Sequence, residues 1–269
     1  MPQSTTEAAI SLLHKAKTAS EVDALIQAIA PGPQLRQALV ERYDDLAAHP
    51  KRDPSASLRA ALLRGLKPLT TTDDGPRLER ALVTYEFGPL GENASRLRAA
   101  ALLALAQLSP DLAEIHAVHL LGDRRTEKMS GEPALTAVRF LVARGNIGAL
   151  YLHVLQGEAQ QDVLAEALRA LVDLPAALVL ELAERLRRSD DVVALVGLFD
   201  LLTAHKEPAA FAQFVREWAV ETRQLDVLHF AAAQAVASRC APLVEALHEA
   251  AKLTGDPERR KLLTDALSA

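Results

Sequence analysis

Hydrophobic side chains recur every three or four residues along nearly the whole chain, which is the spacing of amphipathic helices. Val22, Leu25, Ile26 and Ile29 show it near the start. No segment alternates apolar and polar residues in the way that predicts a strand. After three helices in the first 50 residues, helices are predicted over 57–66, 77–87, 94–108, 110–121, 133–144, 147–155, 161–172, 175–188, 191–204, 208–222, 226–238, 242–253 and 257–267.

The breaks between these helices are short and marked by proline, as at Leu108-Ser109-Pro110 and Glu207-Pro208. Breaks of this length force each helix to fold back beside the previous one. Ser20 with Asp23 predicts the capped start of the second helix. The sequence therefore predicts a series of antiparallel helix pairs.

One pattern of side chains repeats within the series, in stretches that begin at Leu58, Leu97 and Val163. Each has an apolar first residue, a small eighth residue and leucine at the ninth and twelfth positions. Weaker copies begin near Val193 and Leu228. A period of about 30–40 residues with two helices per repeat is typical of α-solenoids. Small residues at the eighth position are expected to let neighbouring helices approach closely.

Residues 94–123 resemble a HEAT repeat, and more closely the short HEAT-like type also found in bilin lyases. Leu97-Arg98, Ala101, Leu105 and Asp123 carry the resemblance, whereas Leu164 replaces the arginine in a later copy. The resemblance implies an all-α, right-handed solenoid of the HEAT/armadillo kind with about 14–16 helices. It implies one domain over 1–269, with capping helices in 1–50, repeats in 55–253 and a C-terminal capping helix in 257–268.

Composition and charge narrow the functional classes. Aromatic residues make up only 4%, so the core is expected to consist of leucine, alanine and valine. The net charge of -5 argues against a dedicated nucleic-acid binder and suits a partner with basic patches. The chain shows neither a signal peptide nor an apolar run of the ~20 residues that cross a bilayer, so we expect a cytoplasmic protein without membrane contact.

Few residues offer catalytic chemistry. His116 and His119 lie three apart on one predicted helix, and His153 lies on a corresponding helix of the next repeat, so the three imidazoles are a candidate zinc site. The alternative is that they are surface or partly buried side chains, and no further ligand supports a metal. Cys240, the only cysteine, is either an activated thiol or an inert filler of a helix junction. We expect no catalytic, metal or cofactor site.

Two features are candidates for partner contact. The predicted loop 122–132 is the longest break in the repeats and carries Arg124, Arg125 and Lys128. Loops of this kind lie on one face of a solenoid and often bind, although a solvated loop is the alternative. Trp218, the only tryptophan, shares a helix face with Phe211 and Phe214, where core packing is the alternative.

The sequence therefore predicts a non-enzymatic binding or scaffolding module that engages a protein or peptide through a solenoid surface. Two alternatives come from the resemblance alone. One is a HEAT-like DNA-binding or DNA-glycosylase protein, which needs a basic groove and aromatic side chains. The other is a chromophore chaperone like the bilin lyases, which needs a tetrapyrrole pocket.

Overall fold

The computed structural model describes residues 2–89, 91–157 and 160–268, with side chains from residue 6 onward. The all-α class is confirmed: the described residues form sixteen α-helices and one two-stranded hairpin. None of these helices is both long and apolar enough to cross a membrane. The elements are α1 Pro2–Lys15, α2 Ala19–Ala28, α3 Pro33–Ala48, α4 Ser57–Leu66, α5 Gly75–Leu82, β1 Phe87–Gly88, β2 Gly91–Glu92, α6 Ser95–Leu108, α7 Pro110–Leu121, α8 Ala134–Arg144, α9 Ile147–Gln156, α10 Gln161–Arg169, α11 Ala176–Leu186, α12 Val192–Ala204, α13 Ala212–Glu221, α14 Leu225–Ala237, α15 Ala241–Leu253 and α16 Pro257–Leu267.

Helix ends follow local capping chemistry. The predicted bounds are confirmed for α4, α7 and α16. The predicted start of α2 at Ser20 is wrong, because Thr18 caps this helix. The Thr18 hydroxyl accepts the N–H of Glu21, and the Glu21 carboxylate accepts the N–H of Thr18. Two first-turn donors are satisfied by this reciprocal pair.

The chain divides into two compact units, Met1–Arg144 and Gly145–Ala269. In the first unit, α4 packs between α2 and α6, and α6 also packs on α8. In the second, α12 packs on α10 and α14, α14 packs on α16, and α13 packs on α15. In both units, therefore, a helix contacts the helix two positions along the chain as well as its sequence neighbour. A single domain over 1–269 remains a prediction.

Polar contacts span one repeat length in both units. Arg77 pairs with Asp44, 33 residues away, and Arg169 pairs with Asp200, 31 residues away. The buried ring of His205 bonds the Leu174 carbonyl oxygen at 2.8 Å, again 31 residues away. Each of these contacts joins a helix, or the turn that follows it, to the helix or turn two helices along the chain.

Two glycines lie where a side chain would contact a neighbouring helix. A Cβ atom added to Gly65, the eighth residue of the first repeat stretch, would lie 2.4 Å from the Ile26 side chain of α2. One added to Gly197 in α12 would lie 2.6 Å from Cα and 2.9 Å from the carbonyl oxygen of Ala165 in α10. The Gly65 contact is made with the end of a flexible side chain, and the close approach expected at the eighth position remains a prediction. The Gly197 contact is the less adaptable of the two, because it is made against backbone.

We predict that Gly197→Ala destabilises the second unit by about 1–3 kcal/mol, because the new methyl group forces α10 and α12 apart. Denaturant unfolding followed by circular dichroism measures the effect. Gly148→Ala is the matched control, since α9 leaves open space at that position. It should be neutral or slightly stabilising, because alanine favours helix. Equal midpoints for the two variants would contradict the close approach.

Candidate partner-binding surface

The chain leaves its helical course after α5. The predicted helix 77–87 is wrong beyond Leu82, and so is the expectation of no strands, because β1 and β2 form a short antiparallel hairpin with Phe87 opposite Glu92. Val83-Thr84-Tyr85 is a β-branched and aromatic run that disfavours helix. The Thr84 hydroxyl also donates to the Arg80 carbonyl oxygen. We call residues 83–89 and 91–94 the hairpin segment.

A buried guanidinium holds the hairpin segment against the rest of the first unit. Arg98 in α6 is fully buried. It donates to the Thr84 carbonyl oxygen at 3.0 Å and to Glu92 at 2.9 Å, and pairs with Asp123 at 3.1 Å. Its guanidinium carbon also lies 4.1 Å from the centre of the Tyr85 ring. Arg98 therefore joins the start and end of the hairpin segment to Asp123, two residues after the end of α7.

An equivalent cluster lies near the start of α4. Arg59, one position after Leu58, is 2% exposed and donates to Asp53, six residues before it, as Arg98 does to Glu92. It also makes two bonds to Glu86, at 2.6 and 2.7 Å. Arg59 in α4 and Arg98 in α6 are thus both buried, and each joins the segment before its helix to a segment that follows it.

The segment between α7 and α8, residues 122–133, turns its carboxylates inward. Asp123 accepts the Tyr85 hydroxyl at 3.2 Å as well as Arg98. Glu127 accepts the Ser130 hydroxyl at 2.6 Å, and Glu132 accepts the backbone N–H of Thr136. All three acidic side chains of this segment, which we call the loop, are therefore engaged within the first unit.

The basic side chains of the loop lie at the surface. Arg125 is exposed, with its guanidinium carbon 5.2 Å from the centre of the Tyr85 ring and 5.0 Å from that of Phe87. Phe87 remains 65% exposed, and Met129 in the loop is 92% exposed. Lys128 is also exposed. We call Tyr85, Phe87, Arg125, Lys128 and Met129 the hairpin–loop surface.

Tyr85 connects the buried cluster to this surface. Burial, with the Asp123 carboxylate nearby, raises the pKa of its phenol. The hydroxyl therefore stays protonated at neutral pH and can donate to Asp123. The ring, 39% exposed, lies between the buried Arg98 and the exposed Arg125.

The structure separates the four predicted partner-binding residues. Arg125 and Lys128 belong to the hairpin–loop surface, and Arg124 is exposed in the same loop. Trp218 is 1% exposed and packs on Phe199, with ring centres 4.5 Å apart, as the core-packing alternative described. Phe211 and Phe214 are buried with it. Partner contact by the three basic residues remains a prediction.

The residues considered for other chemistry are not among the residues of this surface. His116 and His119 share a face of α7 with ring centres 6.3 Å apart, and burial lowers the pKa of His153. Among the described residues, no group of three or more His, Cys, Asp or Glu side chains is placed to hold a metal ion. Cys240 is buried, and burial raises the pKa of its thiol, so it lacks the lowered pKa of a nucleophile.

Sequence reasoning missed Tyr85 and Phe87 because the apolar spacing of α5 continues through them. The turn residues Gly88-Pro89 and Gly91 were the signal that it missed, since they disfavour the continuation of a helix. Gly91 adopts a φ of 123°, which side-chain-bearing residues rarely reach.

Comparison of the chain with known protein families, with characterised proteins and with solved structures gives no match. We therefore infer the function of the protein from the geometry of the hairpin–loop surface.

We predict that Arg98→Met lowers the free energy of unfolding of the first unit by about 3–5 kcal/mol, because it leaves Glu92 and Asp123 as buried charges without their cation. Thermal and denaturant unfolding measure the loss. Adding Glu92→Gln and Asp123→Asn to Arg98→Met should recover part of it, since the uncompensated charges are then removed.

Arg96→Gln, an exposed change on the same helix, is the control and should shift stability by less than about 0.5 kcal/mol. If Arg98→Met behaves like Arg96→Gln, the buried guanidinium does not hold the hairpin segment.

Proposed function

We propose that this chain is a non-enzymatic binding module that captures an acidic segment of a protein or peptide on the hairpin–loop surface. The observation that supports this most directly is the position of Arg125 over two exposed aromatic rings. Aromatic and arginine side chains are the groups most enriched at the energetic centres of protein interfaces. Exposed apolar patches rimmed by polar side chains commonly mark interaction sites.

We further propose that each unit is a run of HEAT-like repeats stacked as a right-handed α-solenoid. Packing between alternate helices within each unit supports this, as do ion pairs one repeat apart. The buried clamps of Arg59 and Arg98 occupy the same repeat position, which also supports a repeated unit. The HEAT-like resemblance of residues 94–123 is part of this proposal and adds the expectation of a scaffold.

Local charge determines the chemistry of the proposed partner. The chain as a whole is acidic, which by itself suits a basic partner. At the hairpin–loop surface, however, the loop carboxylates accept internal bonds, while Arg125 and Lys128 are exposed. A partner segment with Asp or Glu beside an aromatic or aliphatic side chain would pair with these cations and cover Phe87 and Met129.

The first experiment places a photo-reactive amino acid at position 129 and irradiates the protein in the cells that produce it. We expect cross-linking to a discrete protein at an acidic segment, because the Met129 side chain is the most exposed apolar group of the surface. The same probe at position 253, an exposed leucine of α15, gives the background level. Equal cross-linking at both positions would contradict the proposal.

A synthetic peptide of the mapped segment then allows a quantitative test. Phe87→Ser combined with Arg125→Gln should weaken its binding by about 30-fold or more, the effect of losing an interface hot spot. Leu253→Ser combined with Lys252→Gln removes the same kinds of side chain from an exposed part of α15 and should leave affinity within about twofold. Calorimetry measures both. Equal affinities would place the binding site elsewhere.

A further inference from the structure

A cavity of about 500 Å³ lies in the second unit, between the turn that follows α11 and the turn that follows α13. Arg188 and Asp190 line it from the first turn, and Arg223 and Gln224 from the second. Trp218 of α13 also lines it. The proposed partner surface belongs to the first unit, so this cavity is a separate feature with its own chemistry.

Trp218 brings a hydrogen-bond donor that lacks an acceptor. Its side chain is almost fully buried, and the indole Nε1–H has no partner among the described residues. Nearly all buried polar groups in folded proteins form hydrogen bonds. An unpaired donor on a residue that borders a cavity therefore marks a position that a ligand acceptor would fill. Nε1 is shielded from solvent, so an oxygen reaches it only after the exposed side chains around it shift.

Cations exceed anions among the lining groups. Arg187 is engaged with Glu184, Glu217 and Glu221, which neutralises the one lining carboxylate near it. Arg188 and Arg223 are exposed, and neither forms an ion pair within the described part of the chain. Asp190 is the remaining lining carboxylate. Two guanidinium groups thus face the cavity region against a single unengaged acid.

A helix N-terminus adds to the positive field. α14 begins at Leu225, and its N-cap residue, Gln224, lines the cavity without capping the helix through its side chain. The first-turn N–H groups therefore lack a side-chain acceptor. α14 has 13 residues, and its N-terminus carries a partial positive charge. Helix N-termini are common anion sites.

We propose that this cavity binds a phosphate monoester group. Arg188 and Arg223 would bind its oxygens through charge-assisted hydrogen bonds, with the start of α14 and the Trp218 N–H as further donors. A tetrahedral dianion presents enough oxygens for these four donors, whereas a carboxylate presents two. Asp190 repels any anion, so binding requires that both arginines engage the ligand.

The single tryptophan makes the proposal directly testable, because Trp218 is the only source of tryptophan fluorescence. Titration of the full chain with methyl phosphate at constant ionic strength should give a saturable change in emission. Inorganic phosphate should give a similar change, since it carries the same group. Acetate and chloride should not saturate over the same range, and acetate binding as tightly as methyl phosphate would overturn the phosphate assignment.

Arg188→Gln combined with Arg223→Gln should weaken methyl phosphate binding by about tenfold or more. The control is Lys252→Gln with Lys261→Gln, which removes two exposed charges from the same unit away from the cavity and should change affinity less than about twofold. Circular dichroism confirms that both variants fold, and calorimetry detects binding independently of fluorescence. Absence of saturable binding by both methods, or equal weakening in the two variants, would overturn the proposal.

Discussion

The buried guanidinium of Arg98 is the interaction on which the candidate site depends. It is enclosed within the first unit, yet it reaches the hairpin segment through Thr84 and Glu92 and the loop through Asp123. Neither segment has an extensive apolar core of its own. A charge placed in a low-dielectric interior is stable only when its partners stay in position. The bonds that Arg98 forms therefore bring the hairpin segment and the loop together, and Arg59 in α4 forms equivalent bonds to Asp53 and Glu86.

The charge of the hairpin–loop surface follows from this arrangement. The carboxylates of the loop form bonds within the first unit, whereas basic side chains of the loop stay exposed. Asp123 turns inward to Arg98 and Tyr85, and Glu127 turns inward to Ser130. Arg125 and Lys128, in contrast, are exposed at the surface. A segment with balanced composition thus presents a cationic face, next to rings that the hairpin segment leaves exposed. The net charge of the chain gives no indication of this.

Most helices could be predicted from the sequence. Of the hairpin–loop surface, only the part formed by the loop could be predicted. The spacing of leucine and alanine fixes α4, α6 and α7, because burial of one helix face is a local, periodic signal. The arginines of the loop were recognisable as exposed. The exposure of Tyr85 and Phe87 was not recognisable, since aromatic residues directly after a helix predict that the helix continues. Their exposure depends on Arg98, 13 and 11 positions further along, binding the backbone of the segment that contains them. Trp218 shows the converse, because an isolated tryptophan that looks available for contact packs on Phe199.

One buried cation, Arg98, orders two separate segments. The decisive experiment is amide hydrogen exchange of Arg98→Met beside the unaltered chain. The backbone N–H of Asn93, bonded to the Glu86 carbonyl oxygen, reports on the hairpin segment, and that of Glu127, bonded to the Glu132 carbonyl oxygen, reports on the loop. We expect faster exchange at both amides together, with amides of α13 and α15 unchanged. Unchanged protection at both, or loss in the hairpin segment alone, would show that Arg98 does not order the two segments.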